Sequence, residues 1–173
     1  MCYNDITEFK PGVSFALPLS LGLDCSSKAV HGIVIDAEEN IVIGFKSEGK
    51  GLDFDTRFSE IFANFSEDLS KISIISGAAV EAAIYIQNPR TTLAIAYVVG
   101  GVRVVLQERS IPHILVDNRV WKKEIVGKGN VKKADIKAFA VAKWGEVFKE
   151  QDFADAACIA LWNKRRKDGT TEN

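Results

Sequence analysis

Cysteine and histidine are scarce in this sequence, and neither occurs in a spacing that builds a structural site. The three cysteines, Cys2, Cys25 and Cys158, are far apart and odd in number, so no disulfide framework is indicated. The two histidines, His31 and His113, lie near no pair of cysteines, which excludes a zinc finger. The absence of both patterns predicts a protein of a reducing compartment, the cytoplasm.

The sequence also has no long uninterrupted apolar run and no basic leader. The longest apolar stretch, Leu93–Leu106, contains Arg103 and is shorter than the roughly 20 residues that a membrane-spanning helix needs. Acidic Asp5 and Glu8 stand where a secretory leader would be basic. We therefore expect a cytoplasmic protein with no membrane partner.

Length and composition predict one well-cored domain. The chain has 173 residues, of which 47% are hydrophobic and 26% are charged, as in an ordinary soluble globular protein. We place this domain at residues 19–166. An N-terminal extension (residues 1–18) precedes it, and a tail that we expect to be disordered (residues 167–173) follows it.

The net charge of −1 excludes a strongly basic nucleic-acid-binding protein, but the charges are unevenly distributed. Residues 36–68 hold nine acids against three bases, whereas residues 119–137 hold seven bases against two acids. A local basic stretch can bind phosphates while the rest of the protein stays soluble. The glycine-containing loop 127–130 inside this stretch favours phosphate binding over the alternative, a solvated charged face. The predicted DNA-binding residues are Arg119, Lys122, Lys123, Lys128, Lys132 and Lys133.

Hydrophobic periodicity predicts an α/β fold with helices over a mixed five-stranded sheet. Three short strands separated by polar turns form an antiparallel meander, and two further strands alternate with helices as parallel strands. The predicted strands are Leu19–Cys25, Val30–Asp36, Ile41–Lys46, Gly77–Ala82 and His113–Asp117. The first predicted helix begins near Thr56. The other predicted helices span Thr91–Gln107, Lys132–Trp144 and Asp152–Lys164.

Four acids lie on apolar segments, where burial of an unpaired carboxylate costs free energy. Asp24 lies in the first strand, Glu81 near the end of the fourth, and Asp152 and Asp155 at the start of the last helix. Residues three apart on a helix share a face, so both helix aspartates can point at one cavity. In such sheets the ligand site is expected at the carboxyl ends of the central strands. These acids predict a cage for hard divalent cations, which prefer oxygen ligands.

Each acid also has an ordinary structural explanation. Asp24 could be a turn residue, and Glu81 could be a charge at the end of a strand. Asp152 and Asp155 could be an N-cap and a first-turn acid that favour the helix dipole. The lysines could be solvated, and the two histidines could be structural. The order of the four acids along the chain favours a shared site over four separate explanations.

The order of these motifs resembles that of the RuvC-type Holliday junction resolvases of the RNase H-like superfamily. The matching motifs are Gly-Leu-Asp at 22–24, Val-Glu at 80–81, Val-Gly-x-Gly at 126–129 with a lysine after it, and Asp-x-x-Asp-Ala-Ala at 152–157. The resemblance covers about residues 19 to 163 and implies the RNase H-like three-layer fold. The compact size and divergent sequence resemble the bacteriophage branch, which would place the protein in the host cytoplasm.

The resemblance implies a site for two Mg²⁺ ions, which Mn²⁺ can replace, held by Asp24, Glu81, Asp152 and Asp155. Lys133 falls on a phosphate-contacting catalytic lysine of the family, in a register set by the glycine loop. Lys122 falls on a second such lysine, although Lys123 could take its place. Four carboxylates in one pocket repel each other, so we expect raised carboxyl pKa values in the metal-free protein.

The chain departs from the family pattern at two points. After the first aspartate the family often has Pro-Gly-Ser, where this chain has Cys25-Ser26-Ser27. The bacterial enzymes place an aromatic wedge shortly after the glutamate, where the candidates here are Tyr85 and Ile84 or no residue at all. Both departures concern sequence preference and junction opening rather than the metal site.

The activity that the resemblance implies is Mg²⁺-dependent cutting of four-way DNA junctions by paired nicks with 5′-phosphate and 3′-hydroxyl ends. Cutting a two-fold substrate symmetrically needs a homodimer, for which the apolar helix Thr91–Gln107 with Gly100-Gly101 is the expected interface. Two alternatives remain open. One is a nuclease of the same fold that acts on flaps, forks or three-way junctions, and the other is a non-catalytic DNA-binding module.

Overall fold

The strands of the described residues form one mixed five-stranded sheet. The computed structural model describes residues 16–72, 74–83, 88–145, 148 and 150–169. The strands are β1 (Ser20–Cys25), β2 (Ala29–Ile35), β3 (Ile41–Glu48), β4 (Gly77–Glu81) and β5 (His113–Val116). Their order is β3-β2-β1-β4-β5, with β1, β2 and β3 antiparallel and β1, β4 and β5 parallel. The predicted meander followed by two parallel strands is confirmed.

Helices cover both faces of this sheet. Those of the described residues are α1 (Phe54–Ser70), α2 (Pro89–Glu108), α3 (Asn118–Val126), α4 (Lys133–Trp144) and α5 (Gln151–Gly169). One apolar core joins α3, α4 and α5 to side chains such as Ile33 and Ala79, and the other joins α1 and α2 to side chains such as Leu21 and Val80. Side chains alternate across a strand, so a strand covered on both faces is buried along its whole length, and all seven residues of β2 are buried.

Close backbone contact places α5 directly on the central strand. A Cβ built on Gly22 of β1 would lie 2.2 Å from both the Ala156 carbonyl oxygen and the Ala160 amide nitrogen. No side chain fits in that space, so only glycine at this position lets β1 and α5 approach so closely. This contact brings the first turn of α5 toward the carboxyl end of β1.

Buried polar groups fix the position of α5 along the strands. The Ser20 hydroxyl donates to the Ala160 carbonyl at 3.1 Å. The Asn163 amide donates to Ser20 Oγ at 2.8 Å and to the Gly77 carbonyl at 3.1 Å, which joins α5 to both β1 and β4. Leaving such groups unpaired in an apolar core costs free energy, so these bonds favour one register of the helix.

Three predictions about the elements are corrected. The basic stretch begins with a helix, α3, that periodicity did not predict because only Trp121 and Ile125 are buried among its charged residues. The N-cap of α1 is Asp53, whose side chain accepts from the Thr56 amide, so the helix begins before Thr56. The tail expected to be disordered is helical up to Gly169, and the Lys167 ammonium donates to the Ser76 carbonyl at 2.7 Å.

Within the described residues, α2 is the one helix that is long and apolar enough to cross a membrane, judged by length and composition alone. The expectation that this apolar run is too short is therefore wrong, because the helix has 20 residues and begins at Pro89. Val98, Val102 and Leu106 of α2 are fully buried in the core beside α1. A helix that packs into a protein core passes the same test, so length and composition argue only weakly for a membrane.

Candidate active site

Three carboxylates from two elements meet at the carboxyl end of β1. One oxygen each of Asp24, Asp152 and Asp155 lies within 4.8 Å of the other two. Asp24 is the fifth residue of β1, and the two other aspartates lie in the first turns of α5, which Gly22 allows to pack on that strand. The sequence predicted this convergence, and the three residues form a cluster of hard oxygen ligands that could hold a divalent cation.

Glu81 lies beside this cluster rather than within it. It ends β4, the strand next to β1, one residue after Val80, which pairs with Leu23. Its carboxylate accepts a hydrogen bond of 2.8 Å from the Trp121 indole of α3. Trp121 is fully buried and therefore fixes one oxygen of Glu81 on the side of α3. The role of Glu81 as a metal ligand stays a prediction.

Burial and mutual repulsion raise the pKa values of Asp24, Glu81 and Asp155, as expected for the metal-free protein. Burial raises the pKa of Asp24 well above its usual range, and the charges of Glu81, Asp155 and Asp152 raise it further, against a smaller opposing effect of Lys133. Burial also raises the pKa of Glu81, although the Trp121 hydrogen bond and Lys122 oppose this. Burial raises the pKa of Asp155 as well, and this effect outweighs the opposing effects of the hydrogen bond from Gln151 and of the nearby lysines. These carboxylates therefore lack the positive charge that would balance them.

Two of the predicted lysines lie close enough to act on the acids. Lys133, the first residue of α4, places its ammonium 3.6 Å from Asp152 Oδ1 while its side chain stays 72% exposed. Lys122 of α3 lowers the pKa values of Glu81 and Asp155 and sits over the Trp121 ring at 5.2 Å. Lys122 therefore acts on the acids, whereas the choice between Lys122 and Lys123 as the phosphate-contacting lysine stays a prediction.

The other predicted basic residues form an exposed surface next to these lysines. Gly127 ends α3 with a positive φ of 97°, and the loop turns back so that Gly129 packs against the Arg119 backbone. A glycine is favoured at Gly127 because other residues are strained there. The exposed basic residues on α3 and this loop are Arg119, Lys123, Lys128 and Lys132.

A histidine that the sequence analysis treated as structural lies at the same site. His31 of β2 pairs with Asp24 across the sheet, and its Nδ1 lies 3.8 Å from Asp152 Oδ2. Its Nε2 lies 3.0 Å from Glu150, which also pairs with Lys46 at 3.1 Å. The predicted antiparallel pairing of β1 with β2 could have revealed His31, because the register that pairs it with Asp24 places the two side chains next to each other. The candidate wedge residues Tyr85 and Ile84 lie outside the described residues.

Comparisons with known proteins identify the fold. No protein-family model matches the sequence, and no curated protein sequence matches it. Among solved structures, Thermus thermophilus RuvC superposes with a TM-score of 0.75 at 19% identity, over 88% of this chain and 98% of that one. The same organism's RuvC in complex with a Holliday junction substrate gives a TM-score of 0.73 at 19% identity, over 87% and 96% of the two chains.

A third similar structure comes from yeast. The yeast mitochondrial Holliday junction resolvase Ydc2 superposes with a TM-score of 0.59 at 16% identity, over 92% of this chain and 85% of that one. All three structures superpose over most of this chain. The chain therefore has the same fold as these three structures.

Proposed function

We propose that the protein is a divalent-metal-dependent endonuclease that resolves four-way DNA junctions. The observation that carries this proposal is the cluster of Asp24, Asp152 and Asp155 within 4.8 Å, at the carboxyl end of the central strand of a resolvase fold. Lys122 and Lys133 flank the cluster and can neutralise phosphates. We further propose a cytoplasmic protein, from the bacteriophage branch of the family.

The acids would hold Mg²⁺, two ions per site, or Mn²⁺ in its place, with Asp24, Asp152 and Asp155 as ligands and Glu81 at the flank. When bound, such cations stabilise negative charge on the attacking and leaving oxygens and activate water at neutral pH. The chain's own groups prepare the site. The Trp121 indole orients Glu81, and the Gln151 amide donates to Asp155 Oδ1 at 3.0 Å. Lys133 is exposed, so its ammonium can exchange Asp152 for a DNA phosphate.

The exposed basic surface suits a branched DNA substrate. Phosphate contacts from Arg119, Lys123, Lys128 and Lys132 would position DNA without reading its bases. Binding should therefore depend on branch shape and fall steeply with salt. Resolution would use paired nicks that leave 5′-phosphate and 3′-hydroxyl ends.

We expect cleavage of a synthetic mobile four-way junction with Mg²⁺, and far less cleavage of a linear duplex. The test compares end-labelled four-way junctions, three-way junctions, forks and flaps at equal concentration, and checks with ligase that the nicks can be sealed. Equal cleavage of all branched substrates would support the broader nuclease of the same fold instead. Binding without any cleavage, with either Mg²⁺ or Mn²⁺, would support a non-catalytic module and contradict the proposal.

An exposed apolar stripe on α2 is the proposed homodimer interface. Leu93 and Tyr97 are each 54% exposed and Val104 is 57% exposed, and Gly100 lies between them with no atom near its Cβ position. Their spacing of four, three and four residues keeps them on one helix face, as in paired helices. Of the two adjacent glycines, only Gly100 faces outward, because a Cβ on Gly101 would meet the Phe62 ring at 2.4 Å.

The variant Gly100→Arg is expected to be monomeric and to bind junctions poorly. The large charged side chain would separate the two α2 helices, and a two-fold substrate needs two linked sites. Analytical ultracentrifugation and junction binding by gel shift measure both effects. The matched control Gly100→Ala adds one methyl group at the same position and should stay dimeric. A dimeric Gly100→Arg protein would contradict this interface.

A further inference from the structure

The side chain of His31 is deeply buried beside the carboxylate cluster, with one ring nitrogen unsatisfied. It is only 4% exposed, and its ring meets the Phe153 ring edge-on, with centroids 4.9 Å apart. Nε2 lies 3.0 Å from Glu150 Oε2. Nδ1 is buried and has no hydrogen-bond partner in the described part of the chain. Buried polar atoms are nearly always paired, so this nitrogen calls for an explanation.

The partner of Nε2 decides which nitrogen carries the proton. Glu150 forms an ion pair with Lys46 at 3.1 Å, and a carboxylate can only accept hydrogen bonds. The hydrogen therefore resides on Nε2 and points at Glu150. In this tautomer of the neutral ring, Nδ1 presents a bare lone pair.

An oxygen of Asp152, which is itself a lone-pair donor, lies close to that lone pair. Nδ1 lies 3.8 Å from Asp152 Oδ2, which is too long for a hydrogen bond. Metal–nitrogen and metal–oxygen bonds of about 2.1 Å place two ligands of one cation at most about 4.2 Å apart, so this distance fits two ligands that share an ion. A carboxylate that accepts from the far nitrogen of a histidine is also the usual support of a metal-binding imidazole.

We propose that His31 Nδ1 and Asp152 Oδ2 are ligands of one divalent cation at the β2 side of the carboxylate cluster. This inference rests on the proposed metal-dependent function and goes beyond it, because it adds a nitrogen ligand to a set of oxygens. Imidazole nitrogen suits transition-metal ions, whereas Mg²⁺ prefers oxygen alone. The site should therefore bind Mn²⁺ more tightly than Mg²⁺. Glu150 and Lys46 are positioning residues that hold the ring.

The test is pulsed electron paramagnetic resonance of Mn²⁺ bound to the full chain without DNA. A directly bound histidine nitrogen should give a nuclear modulation that changes when the protein is made with ¹⁵N-histidine. The chain has only two histidines, so the His113→Gln variant leaves His31 as the sole source. His113 is a sound control, since its Nδ1 contacts the Ile111 carbonyl at the amino end of β5, away from the site. The expected result is an unchanged histidine signal in His113→Gln.

The paired variants His31→Gln and His31→Asn separate ligation from structural support. Glutamine can reach toward Glu150 but has no atom at the Nδ1 position, so the signal should vanish and the Mn²⁺ dissociation constant should rise about ten- to a hundred-fold. Asparagine places an oxygen near Nδ1 and should recover part of the affinity. Mn²⁺ binding without a histidine signal in the wild type would overturn the inference and leave the proposed function intact. Failure to bind either Mn²⁺ or Mg²⁺ would overturn both.

Discussion

Replacing Asp24 with asparagine is expected to reduce junction cleavage by about a thousand-fold or more, while junction binding changes little. Removing one preorganised electrostatic group from an active site typically costs about 10²–10³-fold in rate, and Asp24 lies at the centre of the acids. Its pKa responds to Glu81, Asp155 and Asp152 together, which places it among all three. DNA binding depends on the basic surface instead, so a gel shift should remain close to that of the wild type.

Single-turnover cleavage with excess enzyme measures this effect without interference from product release. Glu81→Gln provides a comparison within the site and should cost less if Glu81 only flanks the metal. Asp55→Asn is a matched control, because it removes the same charge from an exposed residue of α1 on the other face of the sheet. Cleavage by Asp24→Asn at a rate close to that of the wild type would refute the proposed chemistry.

Asp24→Asn should also stabilise the metal-free protein at neutral pH. Folding raises the pKa of Asp24 well above 3.8, so between these two values the folded chain binds more protons than the unfolded chain. Stability therefore falls as pH rises through that window and stays lower above it. Asparagine removes this cost. A rise in Tm of several degrees is expected, since about 1 kcal/mol shifts Tm by roughly 2–4 °C in a domain of this size.

Metal should reverse that order of stability. Mg²⁺ neutralises the clustered acids of the wild type and should raise its Tm, whereas the asparagine variant has lost a ligand and should respond less. Differential scanning fluorimetry over pH 4–8, with and without Mg²⁺, gives both comparisons. An identical Tm for the two metal-free proteins at every pH would contradict the repulsion that the burial of Asp24 implies.

The second large effect is expected at Gly22, where even Gly22→Ala should destabilise the fold by about 3 kcal/mol or more. The added Cβ would lie 2.2 Å from the Ala156 oxygen and the Ala160 nitrogen, which are backbone atoms that no rotamer change can move. Relief requires α5 to move off β1. That movement would break the Ser20 and Asn163 hydrogen bonds and carry Asp152 and Asp155 away from Asp24.

Urea denaturation measures this loss, and Mg²⁺-induced stabilisation reports whether the acids still converge. The control is Gly169→Ala at the end of α5, where nothing lies within 4 Å of a Cβ, so the same methyl group should have little effect. If Gly22→Ala does not fold, Ala160→Ser tests the same contact from the helix side with a smaller change, and it should lower the urea midpoint moderately. If Gly22→Ala keeps the stability and the metal response of the wild type, α5 can pack on β1 without a glycine at position 22, which would contradict this prediction.

The sequence by itself determined the sheet and most of its helices. Alternating and continuous apolar runs reflect backbone pairing and burial over a few neighbouring residues, so β1 to β5, α2, α4 and the start of α5 were predicted close to their observed bounds. α3 was not predicted because its buried residues are limited to Trp121 and Ile125, one turn apart in a helix rich in charged residues. The acids were also visible, since carboxylates on apolar segments conflict with local burial and therefore call for a shared reason.

Only the tertiary structure decided how these groups meet. It places Lys122 over the Trp121 ring beside the acids, turns Gly100 outward and Gly101 inward, and ties Glu81 to Trp121 beside the cluster. It also brings His31 from β2 to Asp152 of α5, residues distant in the chain. Such contacts depend on how closely α5 packs against β1, and that distance is set by Gly22 and the alanines opposite it, Ala156 and Ala160. A local pattern carries no information about that distance, because it arises from packing between segments well over a hundred residues apart.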